Sequence, residues 1–298
     1  MKIDVAIIGG GPAGLTAGIY VCRAGLSAIC FERLGVGGQA ALSYDIANYP
    51  GFKNISGFEL TNLMAEQAKS CGLQIEFEAV KALTKTHGGF KIKTSKEEII
   101  ARKVILACGN EPRKLGLVNE EKFIGRGVSF CASCDGNFFK NKSVVVVGGG
   151  DTAMEDAVYL SALAKKVTVM NRTENFRAQP QELERVKKLK NVKIITNAAV
   201  TELIGNEQLE KIKIKVAGEA KTMQVDGLFV AIGHVPNLDF LKIDLNRDKS
   251  GYIIVDENMQ TSEKNLYACG DIVSKKLKQV VTACADGAIA GNSCIGRK

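Results

Sequence analysis

Histidine is scarce in this 298-residue chain: His87 and His234 stand alone and far apart, and only one Cys-x-x-Cys pair occurs. A closed structural zinc site takes four Cys or His ligands, so the sequence gives little room to a zinc-binding interaction module, and no metal ligand set is expected. There are five prolines against 31 glycines, a balance that suits an α/β protein with many tight strand-to-helix turns. No apolar run is long enough to span a membrane. The apolar N-terminus is interrupted by Asp4 and followed at once by glycines, which reads as a first strand and not as a secretion signal. The net charge of +8 comes without basic–aromatic alternation or a nucleic-acid motif. It reads as a solvated basic surface that attracts acidic ligands or partners. Nine cysteines, an odd number at irregular spacing, do not form a disulfide framework. They fit a reducing cytoplasm and a single catalytic pair.

The chain is 46% hydrophobic and 24% charged, as expected of a globular protein, and its length suggests two domains. The most informative stretch is Cys131-Ala132-Ser133-Cys134-Asp135. Two thiols at this spacing can close a small, easily reduced disulfide, and the adjacent carboxyl can manage protons. Taken alone the pair could equally be half of a metal site or two buried thiols. Its surroundings argue for redox chemistry, because a glycine-rich nucleotide turn follows soon after.

Two glycine fingerprints are present. The apolar run from Ile3 to Ile8 reads as a buried parallel strand, and Gly9-Gly10-Gly11-Pro12-Ala13-Gly14 follows it. In this pattern Gly9 allows the turn, Gly11 lets the backbone approach a pyrophosphate, and Gly14 lets helix and strand pack closely. A helix from about Pro12 to Arg23 points its N-terminus at the phosphates. A second strand ends at Glu32, where a carboxylate can bind ribose hydroxyls. The second copy runs from Ser143 through Gly148, Gly150, Asp151, Thr152 and Ala153, with the next strand over Lys166 to Met170. That strand ends in Asn171-Arg172-Thr173, with Arg177 beyond, and no acid. Cations in that place favour a 2′-phosphate, although both arginines could also be solvated helix-start residues. The two sites suggest FAD at the first and NADPH at the second, with flavin as the relay between hydride and thiols.

These stretches resemble low-molecular-weight, bacterial-type thioredoxin reductase over essentially the whole chain. The matching segments include Gly37-Gly38-Gln39, Ile46 to Phe52, Gly125 to Gly136, Ala231 to Asn237 and Tyr267 to Ile272. The resemblance implies two Rossmann-like domains of three-layer α/β type, the second inserted in the first. The flavin domain would be residues 1–114 plus 243–298, and the nicotinamide domain 115–242 would carry the Cys-x-x-Cys. It implies flavin contacts at Gly38, Gln39, Asn48, Gly109, Asp271, Lys278, Gln279 and Val280, beside Gly9 to Gly14 and Glu32. Lys278 stands where the family has arginine. The family's arginine clamp is also incomplete, with Asn171 in place of histidine and Thr173 in place of the second arginine, which leaves NADH possible as a donor.

The implied path runs from NADPH through FAD to Cys131–Cys134, and then to the disulfide of thioredoxin or a thioredoxin-like protein. Cys134 would face the flavin, Cys131 would attack the partner, and Asp135 would act as the acid–base group. Residues 112–118 and 240–246 are the expected hinges of an inserted domain that must rotate. Phe138 and Phe139 could be a docking surface or core. A homodimer in the cytoplasm is implied, with no membrane or nucleic-acid partner. The alternatives are the flavoprotein subunit of a peroxidase system and a reductase fed by ferredoxin. The first would need its extra dithiol domain as a separate protein, because the chain starts at the first Rossmann strand. A non-enzymatic redox sensor is the reading from a different class.

Overall fold

The computed structural model describes residues 2–43, 46–236 and 238–296. Asn237, the last residue of one matched segment, lies outside them. The chain divides into two compact units, Met1–Glu111 with Val235–Lys298, and Pro112–His234.

The first unit holds a seven-stranded sheet. Strand Lys2–Ile8 lies between Ala28–Phe31 and Glu98–Leu106, and Gln74–Glu76 extends the sheet beyond Ala28–Phe31. All of these pairings are parallel, which is why the central strands are apolar on both faces. The long strand Glu98–Leu106 has two partners on its other side. Its first half pairs antiparallel with Gly89–Lys93, while its last residues, from Val104, pair parallel with Leu266–Ala268. A segment from the second stretch of chain therefore completes a sheet begun by the first.

Helix Pro12–Arg23 packs against helix Val280–Ile295 with the two backbones nearly touching. A Cβ at Gly287 would lie 2.2 Å from the Ala13 carbonyl oxygen, and one at Gly291 would lie 2.8 Å from that of Ala17. Helix Val280–Ile295 is opened by a capping box between Gln279 and Thr282, which supplies partners for its first N–H groups.

The second unit carries a five-stranded parallel sheet in the order Val192–Ile195, Lys166–Met170, Ser143–Val147, Gly227–Val230, Val128–Ser129. A three-stranded antiparallel sheet, Ala198–Ile204, Lys211–Val216 and Glu219–Gln224, adjoins it in sequence.

The second expected hinge does not lie at the crossing between units. Residues 240–246 are fixed within the first unit: Leu83 N–H donates to the Phe240 carbonyl at 2.8 Å, and Lys242 N–H donates to Leu83 at 3.0 Å. Leu238, Leu241 and Leu245 are buried in the same apolar cluster as Leu83 and Ile253. Burying three leucines makes this segment a structural anchor. The other expected hinge, 112–118, is tied down from Leu115 onward. There the buried Glu120 carboxylate accepts the N–H groups of Leu115, Gly116 and Leu117 at 2.9, 2.8 and 3.3 Å.

Candidate active site and nucleotide crevices

Parallel strands bring their carboxyl ends to one edge of a sheet, and ligands of open α/β sheets bind at that edge. In the first unit the edge gathers the Gly9 turn, Glu32, Gly109 and Gly270-Asp271. Gly9 takes φ +111°, and a Cβ there would sit 2.4 Å from the Ala107 carbonyl oxygen. A Cβ at Gly14 would lie 1.9 Å from the Gly9 carbonyl oxygen. By contrast, a Cβ at Gly11 would meet only the Gly37 carbonyl oxygen, at 3.9 Å. The first and third glycines are filled against the fold, and the second opens on free space. That is the cradle a pyrophosphate needs.

Helix Pro12–Arg23 begins beside this space with no side-chain cap, so its first N–H groups are available to an anion. The Glu32 carboxylate accepts Gly10 N–H at 2.7 Å and Leu34 N–H at 3.0 Å, which fixes it beside the turn. Gly37 donates its N–H to the Gly10 carbonyl at 2.8 Å. The Gly38–Leu42 turn, which carries Gln39, thereby stands opposite Gly11. Asn48 donates to the Gln279 side chain at 3.0 Å, and the two line a cleft of about 280 Å³ with Ser43, Ile46, Ala47 and Val280.

Around Asp271 the geometry adds residues that motif reading missed. Lys275 lies 2.6 Å from the buried Asp286 carboxylate and 4.0 Å from Asp271 Oδ1. Asp286 also accepts the Gly270 N–H at 3.1 Å. Lys278 donates to the backbone carbonyls of Asp271 and Val273, and its ammonium stands 3.5 Å above the Tyr252 ring. Burial pulls its pKa below the ordinary lysine value. Here Lys278 holds the 271–273 turn and stacks on an aromatic face.

In the second unit one edge gathers the Gly148 turn, Asn171-Arg172 and Cys131, which follows strand Val128–Ser129. Gly148 takes φ +154°, and a Cβ there would lie 2.2 Å from the Ala231 carbonyl oxygen. A Cβ at Gly150 would meet nothing within 4 Å, so the second crevice repeats the closed–open design of the first. Ala153 is fully buried and tolerated there, packed against Gly148. Asp151 accepts the Gln179 N–H at 2.7 Å and so holds the start of helix Pro180–Lys187. Thr152 is exposed in the first turn of helix Asp151–Ser161. Arg172 and Arg177 are exposed, and neither guanidinium has a partner among the described residues.

Cys131 and Cys134 form a disulfide. Cys131 Sγ caps the short helix Ala132–Asp135 by accepting Cys134 N–H at 3.2 Å. Cys131 is half-buried and Cys134 exposed. The organising group is one that sequence reading passed over, Ser129, which is 4% exposed. Its hydroxyl donates to Asp135 Oδ2 at 2.6 Å and accepts Cys131 N–H at 3.1 Å. The carboxylate is thus positioned from the same side chain that fixes the first cysteine. The two aromatics that follow separate: Phe139 is core, edge-on to Phe229 at 5.2 Å, and Phe138 is 74% exposed.

The other cysteines contrast with this pair. Burial pushes the thiols of Cys30, Cys108 and Cys294 up to about 12 and that of Cys269 up as well. It raises Cys22 and Cys284 in the same direction. A thiol raised in this way carries little thiolate at neutral pH, and thiolate is the nucleophile. Among the described residues no group of three or more His, Cys, Asp or Glu side chains could hold a metal ion, and no helix is long and apolar enough to cross a membrane.

A family model described as pyridine nucleotide-disulphide oxidoreductase matches residues 3–287. The thioredoxin reductase of Treponema pallidum is 41% identical over 293 residues, covering 97% of this chain and 95% of its own. The crystal structure of Lactococcus lactis thioredoxin reductase superposes with a TM-score of 0.89 at 36% identity, covering 99% of this chain and 98% of that one. A ferredoxin-flavin thioredoxin reductase from Clostridium acetobutylicum is 33% identical, with a TM-score of 0.55 and 99% and 97% coverage.

Proposed function

The chain belongs to the pyridine nucleotide-disulphide oxidoreductase family, and on that premise we propose that it is a thioredoxin-disulfide reductase. Electrons pass from NADPH through FAD to Cys131–Cys134, and from there to a thioredoxin or thioredoxin-like protein. The observation that carries this reading is the shared sheet edge of the second unit, where the Cys131–Cys134 disulfide and the open Gly150 turn lie at the ends of parallel strands. The first unit is assigned to FAD and the second to the nicotinamide nucleotide.

FAD supplies the exchange between a two-electron hydride and two thiols when bound. The Gly11 opening, the uncapped helix start, Glu32, Asn48, Gln279 and Asp271 would hold it. The chain's own part is thiol exchange. In the reduced dithiol one cysteine, assigned by resemblance to Cys131, attacks a sulfur of the partner disulfide as thiolate, and the partner's second sulfur leaves. Cys134 then attacks the mixed disulfide at the Cys131 sulfur. The Cys131–Cys134 bond re-forms, and the partner departs with two electrons and, after protonation, two thiols. Asp135, oriented by Ser129, relays the protons. Phe138 offers exposed apolar surface four residues after Cys134, and we assign it to partner docking. Phe138→Ala should raise the thioredoxin KM about tenfold with kcat nearly unchanged, because a docking contact acts on binding. An unchanged KM removes Phe138 from the docking surface. Resemblance also supports a homodimer in a reducing cytoplasm, which sedimentation of the flavin-loaded protein checks for assembly.

Anaerobic titration tests the function: NADPH should reduce the flavin, and thioredoxin should then reoxidise the enzyme. The second reading, a ferredoxin-type donor, draws on the Clostridium acetobutylicum likeness; it takes over if neither NADPH nor NADH reduces the flavin. The clamp has its own test. A charge-assisted contact contributes roughly 1.5–3 kcal/mol, so Arg172→Ala should weaken NADPH use about tenfold or more. NADH, which has no 2′-phosphate, should hardly change. Equal losses for both donors would make Arg172 a residue of the fold.

A further inference from the structure

The loop that carries Arg172 and Arg177 is built around one buried carboxamide. Asn171 is 8% exposed. Its Nδ2 donates to the Thr173 carbonyl at 2.9 Å and to the Asn175 carbonyl at 3.1 Å. Thr173 adds a bond from Oγ1 to that same Asn175 carbonyl at 3.0 Å, so its hydroxyl serves the loop. The backbone of Asn171 is held on both sides: its N–H donates to the Ile195 carbonyl at 2.9 Å, and its own carbonyl accepts Ala198 N–H at 3.0 Å.

The same carboxamide lies against the nucleotide turn. A Cβ placed on Gly149 would come within 2.5 Å of Asn171 Oδ1 and 2.7 Å of Cγ. From the far end of the loop, the N–H groups of Arg177 and Ala178 donate to the Gly149 carbonyl at 2.7 and 3.0 Å. Both arginines are thus fastened to the glycine turn, Arg172 as the neighbour of Asn171 and Arg177 through its own backbone. The one acid between them, Glu174, is engaged by Asn197 Nδ2 at 2.9 Å.

We propose that Asn171 is a specificity-determining positioning residue: its carboxamide preforms the loop that presents Arg172 and Arg177 to the 2′-phosphate of the nucleotide. The inference rests on the NADPH reading above and deepens it. With two cations in place of a fuller arginine cluster, affinity depends on how little ordering those two need on binding. Each flexible side chain or loop that must be ordered weakens a complex, and a loop ordered beforehand avoids that cost.

The test uses calorimetry on the flavin-loaded protein with two probes, adenosine 2′,5′-diphosphate and 5′-AMP. The variants are Asn171→Ala, which removes the loop bonds with the side chain, and Asn171→Leu, which keeps roughly its bulk but donates no hydrogen bond to the Thr173 and Asn175 carbonyls. Each variant should bind adenosine 2′,5′-diphosphate about tenfold more weakly, with 5′-AMP within about twofold of wild type. Wild-type affinity for the diphosphate in both variants overturns the role of Asn171 and leaves the NADPH reading standing. Equal loss of both probes makes the residue merely structural and also overturns it. A wild type with no preference for the diphosphate removes the 2′-phosphate site itself, and this inference with it. If Asn171→Ala does not purify folded, Asn171→Leu decides alone.

Discussion

Serine in place of either Cys131 or Cys134 is expected to abolish reduction of thioredoxin while nicotinamide nucleotide still bleaches the flavin. Rate loss should reach the assay floor, because a single thiol can form a mixed disulfide but has no neighbour to resolve it. The variants should also differ from each other. Cys134→Ser leaves the proposed attacking thiol and should accumulate a covalent complex with thioredoxin, visible on a non-reducing gel. Cys131→Ser should not. The opposite pattern would exchange the roles of the two sulfurs, an assignment that the greater exposure of Cys134 makes worth testing. The seven other cysteines should be replaceable without loss of this chemistry, since none is in a disulfide and burial raises six of their thiols. Near-full thioredoxin reduction by either serine variant would move the reaction away from this disulfide.

The second large effect separates two glycines of one turn. Alanine at Gly14 places a Cβ 1.9 Å from the Gly9 carbonyl oxygen. Real Cβ atoms do not approach backbone this closely, so the turn or the helix must shift, and overpacking of that kind costs on the order of 1–3 kcal/mol or more. The expected result is a lower melting temperature of the flavin-free protein and loss of bound flavin together. Alanine at Gly11 meets only one oxygen, at 3.9 Å. That variant should melt like the parent when flavin-free, yet bind flavin at least about tenfold more weakly, because the methyl occupies space reserved for the phosphates. If Gly11→Ala retains wild-type flavin affinity, the dinucleotide lies elsewhere. Similar melting of the two flavin-free variants would refute the division into packing and binding glycines.

Much of the site was legible because its constraints are local. A turn that needs Gly9 at φ +111° and tolerates no side chain at Gly14 can be filled by few residues, so its residues spell it out. The disulfide was legible for the same reason, since its two partners lie one helical turn apart. What escaped depends on partners distant in sequence or on direction. Phe138 and Phe139 are identical letters, and only the Gly136–Phe139 turn sends one into the core and the other to solvent. Ser129 sits in a strand of two residues, too short for any period to be read. Residues 240–246 were expected to flex because they lie close to a domain boundary. Their leucines in fact pack beneath Leu83, a residue in the other stretch of chain that makes up the first unit. Asn171 stood out as a departure from the family pattern, but its work on Thr173 and Asn175 is visible only in the folded loop.

The strand Leu266–Ala268, paired parallel along the end of Glu98–Leu106, constrains the order in which this protein can be born. A ribosome delivers residues in sequence, at roughly 5–20 per second, and domains tend to fold as they emerge. Pro112–His234 leaves as one uninterrupted stretch and can close its sheet at once. The sheet begun earlier must wait for residues made after that stretch, with the end of Glu98–Leu106 from Val104 onward lacking its Leu266–Ala268 partner in the meantime. Asp271, Asp286 and Gln279 arrive later still. The unit synthesised first is therefore the last to be completed, and an exposed parallel edge awaiting its partner is the point in biosynthesis where chaperone binding or aggregation would concentrate.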